Sequence, residues 1–367
     1  MRIAVFHNFL DNIGGAEIVA LTLTRELKAD LYTTSLDLEK VAKMGFSDLN
    51  TRIHSLGRLP KKAPYRQQLA LWKFRRLNLS GKYDFFIIAG DWAMSAAVNH
   101  HPNLWYVHSP LNELFAFVDF IKQQVLPAWQ RPVYGLWVIF NRYLTRRYAR
   151  SVDNWACNSL NTKQRIAKAY QAEAEVIYPP VKTGFTPQLA GDYWLSVNRL
   201  ITHKRVELQL EAFASLPGKR LIIVGSYEKG ALQFESYKQK LEDIRPSNVE
   251  IRHWISDHEL QELYAHARGF IATACDEDFG LTVVEAMAHG CPVIAPAEGG
   301  YLESVVPGET GIIIEDINAH KIREAILEIE ERLKSNPDFY RNNCLKRAQS
   351  FSVDSFIEKI KKICQKV

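Results

Sequence analysis

The chain has 367 residues, 24% of them charged and 47% hydrophobic, with a net charge of +5. That length exceeds one ordinary core and predicts two domains, and the balance of charged and apolar residues excludes a disordered chain. Five cysteines (Cys157, Cys275, Cys291, Cys344, Cys364), scattered and without CxxC or Cys/His clusters, exclude a metal-finger pattern and point to a reducing cytoplasm.

The N-terminal "MRIAVFHNF" runs straight into a strand pattern with no signal-peptide character, so export is not expected. Residues 2–7 read as a buried parallel strand, 14–28 as a glycine turn leading into an amphipathic helix, and 29–35 as the next strand, together a βαβ unit. Strands are predicted at 85–90, 104–109 and 154–159, and helices around 66–78, 136–150 and 160–170. Residues 176–193 gather three prolines and two glycines, which break both periodicities and predict a linker. The alternation then restarts, with strands at 193–199, 220–225, 249–254, 269–274 and 292–296. Helices at 205–216, 231–244, 258–267 and 281–290 lie between them, and two terminal helices follow. Such alternation predicts an α/β chain of two doubly wound domains facing a central cleft, with ligands at the carboxyl ends of the strands.

Charge is divided unevenly. Residues 1–180 hold 23 Lys/Arg against 14 Asp/Glu, a net of +9, and residues 181–367 hold 23 against 27, a net of −4. Residues 58–82 carry eight basic residues and no acid, and residues 120–152 carry six more, again with no acid, interleaved with Trp129, Tyr134, Trp137, Phe140 and Tyr143. Cations mixed with amphipathic rings suit contact with an anionic membrane surface, and Lys61, Lys62, Arg66, Trp72, Lys73, Arg75, Arg76 and Trp137 are its candidate residues. A solvated basic face over a buried aromatic stripe has the same composition. The apolar piece "VYGLWVIF" is far shorter than the roughly 20 residues a spanning helix needs, so any contact is peripheral. A nucleic-acid partner is not expected, because no recognition motif accompanies the basic residues.

Four constellations fall at strand ends. Gly14 and Gly15 follow the first strand, where glycine lets a phosphate approach and the next helix offers free N–H groups; a tight turn reads the same way. His108 in "VHSP" sits at a strand tip, where an imidazole can donate to a sugar hydroxyl or meet a developing charge, or be satisfied by the core. Arg199 ends the strand at 193–199, and Lys204 and Arg205 open the next helix. Arg199 and Lys204 suit a diphosphate whose charge grows as a bond to it breaks, with a structural ion pair as the competing reading. In "CDEDFGLTVVEAMAHG", Glu277 and Glu285 flank Asp278, Phe279, Gly280 and Leu281 at a helix start, placing two carboxylates around an amide nest; either one alone reads as a helix cap.

The order of "GGAE" (14–17), "HSP" (108–110), "NRLITHKR" (198–205), "EDFGLTVVE" (277–285) and "GGYLESV" (299–305) resembles the GT-B glycosyltransferases of family 4 over essentially the whole chain. The resemblance implies residues 1–180 as an acceptor-binding domain, 190–348 as a nucleotide-sugar domain, and a helix at 349–367 crossing back to the first. It implies retaining, metal-independent transfer, with no cofactor, of a sugar from a nucleotide-diphosphate donor. By it, Glu277 binds donor-sugar hydroxyls, Glu285 the ribose, Arg199 and Lys204 the leaving diphosphate, and His108 the reacting face of the sugar. Gly14 and Gly15 lie near the phosphates or the acceptor. "IYPPV", where many relatives have an Asn-Gly pair, and "EDFG" for the commoner "EGFG" point to the mannosyltransferase-like branch and a GDP-mannose donor. The basic first lobe then suits a lipid-linked or membrane-associated saccharide acceptor at the cytoplasmic membrane face. A UDP-sugar donor, or a non-catalytic saccharide- or headgroup-binding protein, are the alternatives. No Ser-His-Asp arrangement is readable, so electrostatics must carry the chemistry.

Overall fold

The structure, a computed structural model, describes residues 1–186, 188, 191–226, 232–253 and 255–366. The chain divides into two compact units, Met1–Pro180 with Asp354–Val367, and Val181–Val353.

The first unit holds seven strands: β1 (Ile3–Phe9), β2 (Asp30–Thr34), β3 (Ile53–Ser55), β4 (Phe85–Ile88), β5 (Asn103–Val107), β6 (Asn154–Cys157) and β7 (Glu175–Val176). All pair in parallel in the order β3-β2-β1-β4-β5-β6-β7. Strand β4, "FFII", is buried at every position, as expected of a strand covered by helices on both faces. Phe6 and Phe86 stack at 5.8 Å within one core, where Trp105 meets Trp155 at 4.9 Å. The register slips between His7 and Phe9, a bulge that takes Asn8 out of the ladder with β2, its carbonyl accepting from the Thr34 hydroxyl at 2.5 Å. Asn8 Oδ1 instead accepts from the Ala93 amide at 2.7 Å, and Asn8 runs so close to Gly90 that a Cβ there would lie 2.5 Å from the Asn8 nitrogen. Glycine is required at position 90 for that approach. The C-terminal helix Val353–Gln365 belongs, beyond its first residue, to this unit, with Phe356 edge-on to Tyr106 at 5.4 Å.

The second unit holds β8 (Tyr193–Arg199), β9 (Arg220–Ser226), β10 (Val249–His253), β11 (Gly269–Ile271), β12 (Val293–Pro296) and β13 (Gly311–Ile314). They are parallel in the order β10-β9-β8-β11-β12-β13. In both sheets the order reverses beside the first strand, between β1 and β4 and between β8 and β11. That is where a doubly wound sheet opens a ligand crevice beyond its strand ends.

Strands β3, β7 and β13 were not anticipated. The first two are three and two residues long, too short to show a period, and the third is the bare apolar run "GIII" after a glycine turn. The helix predicted at 136–150 is Arg131–Ala149, opening on Pro132, whose fixed φ and missing N–H suit a first turn. The predicted helix 231–244 is seen as Leu232–Ile244 and the predicted strand 249–254 as Val249–His253, with residues 231 and 254 outside the described ones. Residues 187, 189 and 190 of the linker region, including the expected start of the second domain, also lie outside them.

Candidate active site

At the end of β8 the chain turns through a short helical segment, Thr202–Lys204, and Arg205 takes a left-handed conformation (φ 48°) to start the helix Val206–Ala214. That turn aims neighbouring cations differently. Arg205 points into the fold, its Nε donating to the Thr273 carbonyl at 2.7 Å and its Nη2 to Glu298 at 2.9 Å. It stitches the loop after β8 to the loop after β11, and so does the Cys275 amide, which donates to the His203 carbonyl at 2.8 Å. Arg199 stays exposed at the strand tip. Lys204 donates from Nζ to Glu277 Oε2 in a close ion pair whose side chains are only 14% and 22% exposed.

The pair fixes the state of Glu277. Burial opposes its ionisation, but Lys204, with His203 and Arg199 behind it, outweighs that and holds the carboxyl below its ordinary value. Glu277 is therefore an acceptor at neutral pH, locked in place. One of the three N–H bonds of Lys204 is committed to it and two remain for an anion.

The helix Leu281–Ala288 begins beside this pair. Its N-cap, Gly280, is left-handed (φ 86°) with no side-chain cap, and no acidic residue lies in its first turn; the Val283 amide donates to the Gly280 carbonyl at 3.1 Å, and no side chain caps the amides before it. A Cβ on Gly280 would lie 2.5 Å from Tyr301 Cε1. Gly299 and Gly300 press on the same loop: added Cβ atoms would lie 2.3 Å from the Glu277 carbonyl and 2.4 Å from Phe279 Cα. Phe279 is buried against Phe351, so it could serve a ligand only through its backbone, whereas Asp278 and Leu281 remain partly exposed.

Glu285, in the second turn, has a separate set of partners. Its Oε2 accepts from the Tyr264 hydroxyl at 2.9 Å. Burial pushes its carboxyl up, aided by Asp257, against the Tyr264 bond and Lys182. The two glutamates that bracket the turn are driven in opposite directions, the signature of carboxyls with different tasks.

In the first unit His108 lies just beyond β5. Burial first, then the neighbouring His7, lowers its pKa to about 3, and burial lowers that of His7 to about 4. Both rings meet the Ala89 carbonyl at the end of β4, His7 through Nδ1 at 3.2 Å. Among the described residues His108 Nε2 has no partner. Burial keeps the ring neutral at physiological pH, so it can act only as a hydrogen-bonding dipole. His7 was missed because it directly follows the apolar run Ile3–Phe6 of its strand.

Gly14 caps the helix Gly15–Glu26, which carries Glu17 in its first turn. The Glu17 carboxylate lies over the helix start, 2.6 Å from where a Gly14 Cβ would be. This amide terminus already faces an anion of the chain. Beyond the ends of β1, β2 and β3 a cavity of about 690 Å³ opens, lined by Asp11, Asp37, Lys40, Arg58 and Lys61 among others.

Four of the basic and aromatic residues expected at a surface turn inward. Arg66 pairs with Asp11 and covers the Phe9 ring, Lys73 donates to the Leu56 carbonyl, and Arg75 donates to Asn99 at 3.0 Å. Trp137 packs on Trp92 and Tyr134 and donates to Gln68. Lys61, Lys62, Trp72 and Arg76 remain exposed. All five cysteines are free. Among the described residues no three His, Cys, Asp or Glu side chains gather as a metal centre would need, and no helix is long and apolar enough to cross a membrane.

Two family models match consecutive stretches of the chain, "Glycosyltransferase Family 4" over residues 13–185 and "Glycosyl transferases group 1" over residues 188–345. The alpha-1,3/1,6-mannosyltransferase ALG2 of Candida glabrata is 26% identical over 66% of this chain and 63% of its own length. ALG2 of Homo sapiens is 30% identical over 45% of this chain and 43% of its own. The chain thus aligns with less than two thirds of the length of these relatives. Among solved structures, the Anabaena protein Alr3699/HepE in complex with UDP and glucose superposes with a TM-score of 0.79 over the full length of both chains, at 18% identity. With both halves matched in order by glycosyltransferase models and the two Rossmann-like sheets in place, the chain belongs to the family 4 glycosyltransferases and has the GT-B fold, with alpha-mannosyltransferases among the proteins it resembles.

Proposed function

We propose that the protein transfers a hexose, with retention of configuration and without a divalent metal, from a nucleotide-diphosphate sugar to a lipid-linked or membrane-associated saccharide at the cytoplasmic membrane face. The observation that carries this is the Lys204–Glu277 pair beside exposed Arg199 and the uncapped start of Leu281–Ala288. Cations and amides together suit a leaving diphosphate, and the ionised carboxylate between them suits a sugar hydroxyl. Glu285, steadied by Tyr264, takes the ribose.

The C1–O bond to the diphosphate breaks as the acceptor oxygen bonds C1 on the same face, and the acceptor proton passes to a diphosphate oxygen. Arg199, the free N–H groups of Lys204 and the helix amides stabilise the negative charge that gathers on the leaving group. The neutral ring of His108, with Nε2 unpartnered, suits a hydrogen bond to a sugar hydroxyl. The cavity lined by Lys40, Arg58 and Lys61 supports an anionic acceptor headgroup in the first unit.

Mannose from GDP-mannose is the donor favoured by the ALG2 likeness and by "EDFG". The HepE complex with UDP and glucose favours a UDP-sugar as the second reading. A thermal-shift screen of GDP- and UDP-sugars tests both, since a ligand at 100 times its dissociation constant adds about 2.7 kcal/mol to stability. Stabilisation by GDP-mannose, followed by its consumption with an acceptor, is expected. No stabilisation by any nucleotide sugar would leave only a non-catalytic binding protein.

A further inference from the structure

The helix Arg131–Ala149 packs one face on its own unit and leaves a second set of apolar residues outside. Asn141, Thr145 and Ala149 are buried with Val138, and Tyr134 donates its hydroxyl to the Glu113 carbonyl at 2.6 Å. On the other side stand Val133, Leu136, Ile139, Phe140 and Tyr143, with Trp129 just before the helix, each between 51% and 75% exposed. At 3.6 residues per turn, Val133, Leu136, Phe140 and Tyr143 form one stripe, and Arg147 continues it with Arg150 alongside. Both arginines are exposed. A contiguous apolar face of this size on a water-soluble surface marks a contact site.

We infer that this face lies on an anionic lipid surface, with the helix in the plane of the membrane and its apolar stripe sunk among the headgroups. Charge selects that occupant: residues 120–152 contain no acid, and although Arg131, Arg142 and Arg146 bind carbonyls of their own unit, exposed Arg147 and Arg150 stand where phosphate headgroups would meet the stripe's end. Trp, Tyr, Leu and Ile are the side chains that such a boundary accepts. The helix is the anchor because it carries the contiguous apolar stripe, whereas Arg66, Lys73 and Arg75 of the basic segment at 58–82 are bound to their own unit and leave it Lys61, Lys62 and Arg76 as exposed charges. The inference names the partner surface for the membrane-associated acceptor of the proposed reaction but uses none of the donor chemistry.

Vesicle flotation of the full chain without substrates tests it, using phosphatidylcholine vesicles with and without phosphatidylglycerol. The wild type should float with the anionic vesicles and be released by salt. Leu136→Asp with Phe140→Asp should weaken binding at least about tenfold by removing two inserted side chains. Arg147→Glu with Arg150→Glu should weaken it on the order of tenfold on anionic vesicles and little on neutral ones. Because all four residues are exposed, unchanged circular dichroism and nucleotide-sugar binding will show that the variants fold. The inference is overturned if the wild type ignores anionic vesicles or if the Leu136/Phe140 variant floats as the wild type does. It is equally overturned if the wild type is a dimer that this variant makes monomeric without any lipid binding, since a second copy then covers the face. None of these outcomes bears on turnover of a nucleotide sugar, so the anchor can fail while the transfer reading stands.

Discussion

The neutral imidazole pair makes the fold sensitive to acid in a calculable way. His7 is 3% exposed, and burial lowers its pKa from 6.5 to about 4. In the unfolded chain the ring takes up its proton near 6.5, so between pH 6.5 and about 4 the unfolded state binds more protons and stability falls as pH falls. The contribution of the neutral ring is fully present above 6.5 and lost once pH has passed the folded pKa. At pH 5 the unfolded ring is almost fully protonated and the folded ring about one tenth so, a cost of about 2 kcal/mol relative to pH 8. Replacing His7 by Asn keeps an N–H donor near the Ala89 carbonyl and removes the titration. The stability lost by the variant between pH 8 and pH 5 should be smaller than that of the wild type by about 2 kcal/mol. Urea unfolding followed by tryptophan fluorescence reads this in the correct unit, because six of the eight tryptophans lie within residues 1–180. Equal losses in wild type and variant would refute a buried neutral His7.

Other consequences can be checked singly. Gly280→Ala combines a left-handed backbone with a Cβ 2.5 Å from Tyr301 Cε1, so calorimetry should find the second unit destabilised by about 1–3 kcal/mol. Tyr264→Phe removes the hydroxyl bonded to Glu285, and steady-state kinetics should show KM for the nucleotide sugar raised roughly tenfold with kcat little changed, as for a lost hydrogen bond to a charged group. Turnover measured after exhaustive EDTA treatment should equal that of untreated enzyme, and a loss restored by a divalent ion would remove metal independence from the account.

What the sequence made legible is what rides on period and spacing. Alternating strand and helix signals foretold the two parallel sheets, because buried strands such as "FFII" are apolar throughout. Strand ends then pointed to Arg199, Lys204, Glu277 and Glu285. The aim of individual side chains was not legible. Lys204 and Arg205 are adjacent cations, yet the left-handed turn at Arg205 sends one to Glu277 and the other to Thr273 and Glu298. His7 reads as one more strand residue until the fold sets it beside His108. In the helix Arg131–Ala149 the aromatic residues read either as a membrane-facing set or as a buried stripe, and the structure divides them, Tyr134 and Trp137 packing inward with the face bearing Asn141 and Thr145 while Phe140 and Tyr143 stay outside. Periodicity locates two faces of a helix but not which one the rest of the chain covers.

The most direct measurement is the rate of GDP-mannose consumption by the Lys204→Ala variant beside the wild type, with folding of both verified. If Lys204 steadies a departing diphosphate, the rate falls by about a hundredfold or more, as for loss of one preorganised electrostatic partner. A rate within a few-fold of the wild type would contradict the assignment of this strand-end pair to the leaving group.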